Sequence, residues 1–169
     1  LIDMGGKAYL QRMPLGIPGA ITRPRDCTIE PVSLDPANLF SGFGLAGKYV
    51  NNNFVPLAAG DDVSVVKGIF VRPFPIMSQA DIAYLGVTTT QVGDKLARGY
   101  ICVKAPATAA TAKRGDPVYV RVAAPTASSP LGSLLLTADA TASNTPQLTK
   151  AEVMGPGDPT GLVEIAYNI

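Results

Sequence analysis

The stretch "GIFVRPFPI", residues 68–76, decides how the rest of the chain is read. Gly68-Ile69-Phe70-Val71 is a short apolar run, too brief for a helix and rich in the residue types that fit a pleated sheet. With the preceding "VSVVK" it is the strongest strand signal in the sequence. It then meets Arg72-Pro73-Phe74-Pro75, where two prolines hold the backbone extended and poor in donors around one ring, beside one cation. A turn needs less than this, and a catalytic centre needs different chemistry. Two readings follow. In the first, the stiffened backbone loses little entropy as Phe74 docks on a partner, and Arg72 pairs with a carboxylate or carbonyl across the boundary. In the second, Phe74 turns into the chain's own core and Arg72 is a solvated strand end.

Outward from this stretch, short strand signals alternate with turns. "DCTIEPVSL" (residues 26–34) alternates loosely, and Pro31 inside it predicts an edge strand or a bulge. Between residues 38 and 57, Gly42, Gly44, Gly47 and the triple Asn51-Asn52-Asn53 supply turn chemistry between short apolar runs. The Asn triple separates Tyr49-Val50 from Phe54-Val55 and predicts a hairpin turn, since Asn tolerates the left-handed region. In "KRGDPVYVRV" (residues 113–122), alternation puts Val118, Val120 and Val122 on one face and Tyr119 and Arg121 on the other. That predicts a half-buried strand with its polar face outward. "GSLLLTADA" (132–140), "LTKAEVM" (148–154) and "GLVEIAYNI" (161–169) complete the strands.

The best helix candidates, "SQADIAYLG" (78–86) and "VGDKLARG" (92–99), are about two turns each and do not define a fold. Ala-, Thr- and Ser-rich stretches at residues 105–112 and 138–143 read as flexible loops. Short strands with turns every ten or so residues predict an all-β protein, a barrel or a jelly-roll-like sandwich.

Residues 4–24, "MGGKAYLQRMPLGIPGAITRP", follow neither the strand nor the helix period, and Gly and Pro interrupt them every few positions. Tyr9, Leu10, Met13, Leu15 and Ile17 are too many apolar side chains for a comfortable solvated tail. An extended N-terminal arm over residues 1–25, lying along a surface, satisfies both facts, with residues 26–169 as a single β domain; a disordered leader is the alternative. Ordering such an arm has a large backbone entropy cost, so contact with neighbouring subunits is expected to supply part of the compensating burial.

The 169 residues suffice for one domain with its own core. Charged residues are only 16%, and 14 basic against 13 acidic residues leave a net charge of +1 with no block of one sign. Phosphate-driven nucleic-acid binding therefore has little to work with. No apolar run approaches a membrane span, and Leu1-Ile2-Asp3-Met4 carries no basic-then-apolar leader pattern. Cys27 and Cys102 read as two core thiols; a single bridge is the alternative.

The sequence contains no histidine, which excludes His-dependent triads, His metal sites and His general bases. No catalytic, metal or cofactor site is expected. Asp61, Asp62, Asp94, Asp116, Asp139 and Asp158 mostly stand beside glycine, where Asp forms turns, although two-carboxylate hydrolysis remains formally open. Arg114-Gly115-Asp116 reads as a tight turn feeding a strand, with adhesion as the alternative. There is no Trp to build a glycan platform, so a carbohydrate-binding or host-adhesion module would rely on Tyr and Phe.

The chain resembles the bacteriophage structural cement proteins, which decorate icosahedral capsids. The resemblance rests on "RPRDCTIEP" (23–31), "FGLAGKYV" (43–50), "GIFVRPFP" (68–75), "RGDPVYVRV" (114–122) and "GLVEIAYNI" (161–169), in that order and spacing. It implies a barrel or jelly-roll-like body, no catalysis, and placement on the outer capsid surface of the virion. It also implies a major capsid protein as partner and self-association as a homodimer or other homo-oligomer. Under this reading the partner-binding residues are Tyr9, Leu10, Met13, Leu15, Ile17, Arg23, Arg25, Arg72 and Phe74.

Overall fold

The computed structural model describes residues 16–73, 91–105 and 108–169. Its strands are β1 (Thr28–Leu34), β2 (Ala46–Val50), β3 (Asn53–Pro56), β4 (Gly68–Val71), β5 (Gln91–Lys104), β6 (Pro117–Val120), β7 (Leu134–Leu135), β8 (Gln147–Val153) and β9 (Leu162–Tyr167). The fold is all-β, as the sequence predicts. The strands run β1-β3-β2-β4-β5-β9-β8-β6-β7, and β1 also pairs with β5. That extra pairing closes β1, β3, β2, β4 and β5 into a small barrel. The long β5 then continues into a second sheet with β9, β8, β6 and β7.

Glycine makes the handover possible. β5 pairs with β1 up to Arg98 and with β9 from Gly99 onward. Gly99 has φ +139°, and a Cβ there would lie 2.6 Å from the Cβ of Cys27. Only glycine lets the strand change sheets at this point. The two-turn helix expected over residues 92–99 is therefore wrong. Val92 and Leu96 have helical spacing, but pairing with β1 and β4 outweighs the weak propensity of so short a segment. The other helix candidate, residues 78–86, lies outside the described residues.

The two faces of the barrel strands feed two cores. Phe40, Phe43, Phe54 and Phe70 pack inside the barrel with Val32, Leu34 and Leu45. Phe70 stacks on Phe40 at 4.4 Å and on Phe43 at 5.1 Å between centroids, and Phe40 stacks on Phe54 at 5.2 Å. Ile69 and Val71, on the other face of β4, join Leu96, Ile101, Val118, Val120, Ile165 and Tyr167 in the larger core shared with the second sheet. Burial on both faces explains why residues 68–71 read as an unbroken apolar run.

The turn readings hold. Val50 pairs with Asn53, and the intervening Asn51 and Asn52 have φ 48° and 69°, a two-residue hairpin with both centres left-handed. Arg114-Gly115-Asp116 is a turn into β6: the Asp116 carboxylate accepts from the Lys113 N–H at 2.7 Å, and Gly115 has φ +87°. Pro31 sits in β1, whose only register with β3 is Leu34↔Phe54, so most of its second edge is unpaired among the described residues.

Three expectations need correction. Arg121 does not face outward: it is buried, donating to Ser129 Oγ at 2.8 Å and to the Ala124 carbonyl at 2.9 Å, and pairing with Asp139 at 3.1 Å. The described part of the 105–112 stretch, residues 105 and 108–112, is not simply a loop, because Ala105, Ala109 and Ala112 are core residues and a 3-10 turn spans Ala109–Thr111. Small side chains here fit close packing, which composition alone mistakes for flexibility. Of the two thiols only Cys102 is fully buried; Cys27 is half-buried, and the two are unbridged.

Candidate functional site

Gly19, Ala20 and Thr22 lie alongside β5 as a short added strand. Gly19 N–H donates to the Cys102 carbonyl at 2.8 Å, Cys102 N–H to Ala20 at 2.9 Å, and Thr22 N–H to Tyr100 at 3.2 Å. This strap fills the β5 edge opposite β9, with Ile21 bridged antiparallel to Ile101. Gly19 has φ +84°, and a Cβ there would lie 2.5 Å from that of Phe43, so the backbone approach requires glycine.

The strap is anchored at both ends. At its C-terminal end, Glu164 of β9 is 3% exposed. Its carboxylate accepts from Thr22 Oγ1 at 2.6 Å and, in a fork, from Arg23 Nε at 3.0 Å and Nη2 at 3.1 Å. The Arg23 guanidinium also lies 4.1 Å from the Tyr100 ring centroid. Its pKa is raised by the hydrogen bond to Glu164. At the other end, Arg72 N–H donates to the Gly19 carbonyl at 2.9 Å and Arg72 Nε to the Pro18 carbonyl at 3.0 Å.

Alternation along β4 and β5 places one buried cation at each end of the barrel. Arg72 follows Phe70 on the inner face, 8% exposed, with its guanidinium 4.3 Å from the Phe43 ring centroid. Lys95, 5% exposed, closes the other end; its Nζ lies 2.7 Å from Glu30 and 5.0 Å from the Tyr49 ring centroid. Burial alone would lower the Lys95 pKa, but Glu30 and Tyr49 outweigh it and the value is raised.

Of the residues singled out by sequence, Arg23 and Arg72 are thus brought together through the strap. Neither is a solvated strand end. Ile17 is half-buried within the turn whose carbonyl accepts from Ala20, and Arg25 is exposed. Tyr9, Leu10, Met13, Leu15 and Phe74 lie outside the described residues. Sequence reasoning missed Glu164 and Lys95. An acid at the centre of "GLVEIAYNI" and a lysine within a strand were the available signals, because a charge amid apolar alternation needs a partner.

Three of the described aspartates brace turns. Asp61 accepts from Ala58 N–H and Lys48, Asp62 caps a 3-10 turn through Ser64 N–H, and Asp158 gathers Thr160 and Leu162. Among the described residues no group of three or more His, Cys, Asp or Glu is placed to hold a metal ion. Near the β2–β3 hairpin, the exposed apolar side chains Leu39 and Val50 border a groove of about 470 Å³.

Comparison supplies the class that the fold alone leaves open: it is a bacteriophage capsid-associated protein, a component of the virion. More narrowly, the chain belongs to the XM1 gp53 minor capsid protein family, whose model matches residues 6–167. Among solved structures, a chain from the capsid of Myoviridae phage XM1 shares the fold, with a TM-score of 0.62 and 15% identity over 95% of each chain. No curated protein matches the sequence.

Proposed function

We propose that this protein is a structural cement: it binds the outer surface of the phage capsid and bridges major capsid protein subunits, working as a homodimer or other homo-oligomer and catalysing nothing. Family membership supports attachment to the capsid. The single observation that carries the finer reading is the shared root at Pro18, Gly19 and Arg72. There the chain preceding residue 16 and the chain following Pro73 start from neighbouring, hydrogen-bonded points on a closed barrel. These are the two segments whose composition is least suited to solvent: the arm with Tyr9, Leu10, Met13, Leu15 and Ile17, and the proline-flanked Phe74.

In this reading those apolar residues grip the capsid, Arg25 adds an outward charge, and Arg23 and Arg72 fix the place from which the grip is made. Repetition of sites on the shell turns weak single contacts into strong attachment when one oligomer spans two subunits. With few charges and near-neutral balance, attachment is mainly apolar and hydrogen-bonded, and only modestly sensitive to salt.

Co-sedimentation with capsids lacking the protein tests this. Removing residues 1–15 should abolish binding while leaving the barrel folded. Phe74→Ala should weaken binding without a large loss of melting temperature; a large loss with unchanged binding would assign Phe74 to the core. Full attachment of the truncated chain, or attachment that collapses between about 50 and 200 mM salt, would overturn the proposal.

A further inference from the structure

The strap does more than locate the arm. Four backbone hydrogen bonds join it to two different parts of the body, and their directions differ. Gly19 and Thr22 donate to β5, whereas Cys102 of β5 and Arg72 at the barrel end donate to strap carbonyls. The Glu164 carboxylate holds the far end through three side-chain bonds from Thr22 and Arg23. Each contact alone is small, and Arg23 is 40% exposed, so its ion pair is partly screened. The contacts share one short backbone, however. If residues 18–23 lift, the β5 edge loses its neighbour and the Arg72 guanidinium loses the Pro18 carbonyl it bonds while lying over Phe43.

We infer that residues 18–23 form a latch that opens and closes as one unit with the β5 edge and the Arg72 end of the barrel. A partner engaging the arm would then tighten the barrel, and loosening the barrel end would weaken the arm's grip. The inference rests on the cement reading for the identity of that partner, but the latch is a property of the free protein. Coupling of this kind needs an element that both sites bias, and the strap is one backbone segment bonded to both β5 and Arg72.

Native-state hydrogen exchange on the isolated full-length chain tests it. The amides of Gly19, Thr22, Arg72 and Cys102 should exchange through a common opening, with matching protection and matching denaturant dependence. Glu164→Gln, which weakens the anchor on β9, should reduce protection at all four together by about tenfold or more. Arg72→Lys should do so from the opposite end. Should either variant fail to fold, the denaturant series on the wild-type chain decides the matter by itself. Loss of protection at Gly19 and Thr22 while Arg72 and Cys102 keep theirs would overturn the latch. Adding capsids should raise protection at all four sites. If the four amides open together in the free protein but capsids change nothing, the latch stands and the cement reading fails.

Discussion

The guanidinium of Arg72 lies 4.3 Å from the centroid of the Phe43 ring while its Nε donates to the Pro18 carbonyl at 3.0 Å. One side chain therefore finishes the aromatic stack of the barrel and holds the strap. Arg72→Ala should destabilise the protein by about 2–4 kcal/mol, combining a lost charged hydrogen bond, a lost cation–π contact and a void. Arg72→Lys should recover only part of this, because an ammonium lacks the planar fork that stacks and donates at once. Chemical denaturation of the three proteins checks the order.

At the opposite end, Lys95 and Glu30 invite a different expectation. Lys95 is buried but Glu30 is 48% exposed, so the ion pair itself is largely screened. Glu30→Gln should cost about 1 kcal/mol or less. The aliphatic stem of Lys95 is another matter: it fills the space where a side chain at position 68 would stand, which is why Gly68 is glycine. Lys95→Ala should cost about 2–4 kcal/mol, whereas Lys95→Met, which keeps the stem, should stay within about 1.5 kcal/mol of the parent. Equal losses for Ala and Met would place the stabilisation in the charge instead.

These two cations show where sequence reading stops. Period-2 alternation and turn chemistry are local, so the hairpin at Asn51-Asn52 and the buried run at residues 68–71 were legible. Closure of the barrel is not local: it depends on β1 meeting β5 across more than sixty intervening residues at pairs such as Glu30↔Lys95. Nothing in "VGDKLARG" announces that its lysine caps a barrel, and helical spacing of Val92 and Leu96 misdirects. Arg23 reads in the sequence as a partner-binding residue, and nothing local points to its pairing within the chain with Glu164, 141 positions away. Arg121 was assigned to the wrong side because alternation assumes that a polar side chain seeks water, whereas Ser129 and Asp139 satisfy it inside.

Cys102 predicts the alkaline limit of the fold. Burial, aided by Asp158 and Glu164, pushes its thiol up to about 12 from an ordinary 9.0. Because the folded value is the higher one, the neutral thiol's contribution is complete below pH 9 and is lost as pH rises towards 12. Burial raises Tyr167 in the same direction, although Lys95 opposes it. Unfolding free energies from urea titrations should hold steady from neutral pH to about 9 and then fall, by at most about 1.4 kcal/mol per pH unit for each such group. Cys102→Ala should fall less steeply over the same range. At about pH 8, a thiol reagent should modify Cys102 only through openings that expose it, far more slowly than an unfolded thiol.

Glycines 47 and 60 separate packing from backbone strain. A Cβ on Gly47 would lie 2.6 Å from Phe54 Cζ, 2.7 Å from Phe40 Cζ and 2.8 Å from the Val55 carbonyl oxygen, in the middle of the aromatic stack. Rings stacked at 5.2 Å with neighbours on every side have no room to retreat, and the carbonyl is part of the β2–β3 ladder. Gly47→Ala should therefore cost about 3 kcal/mol or more, with loss of ring chemical-shift dispersion for Phe40 and Phe54. Gly60 has φ +85° but nothing within 4 Å of a new Cβ, so Gly60→Ala should cost only the left-handed penalty, about 1–2 kcal/mol, with the rings undisturbed. A mild Gly47→Ala variant with native aromatic shifts would mean that the barrel interior is looser than its stacked rings imply.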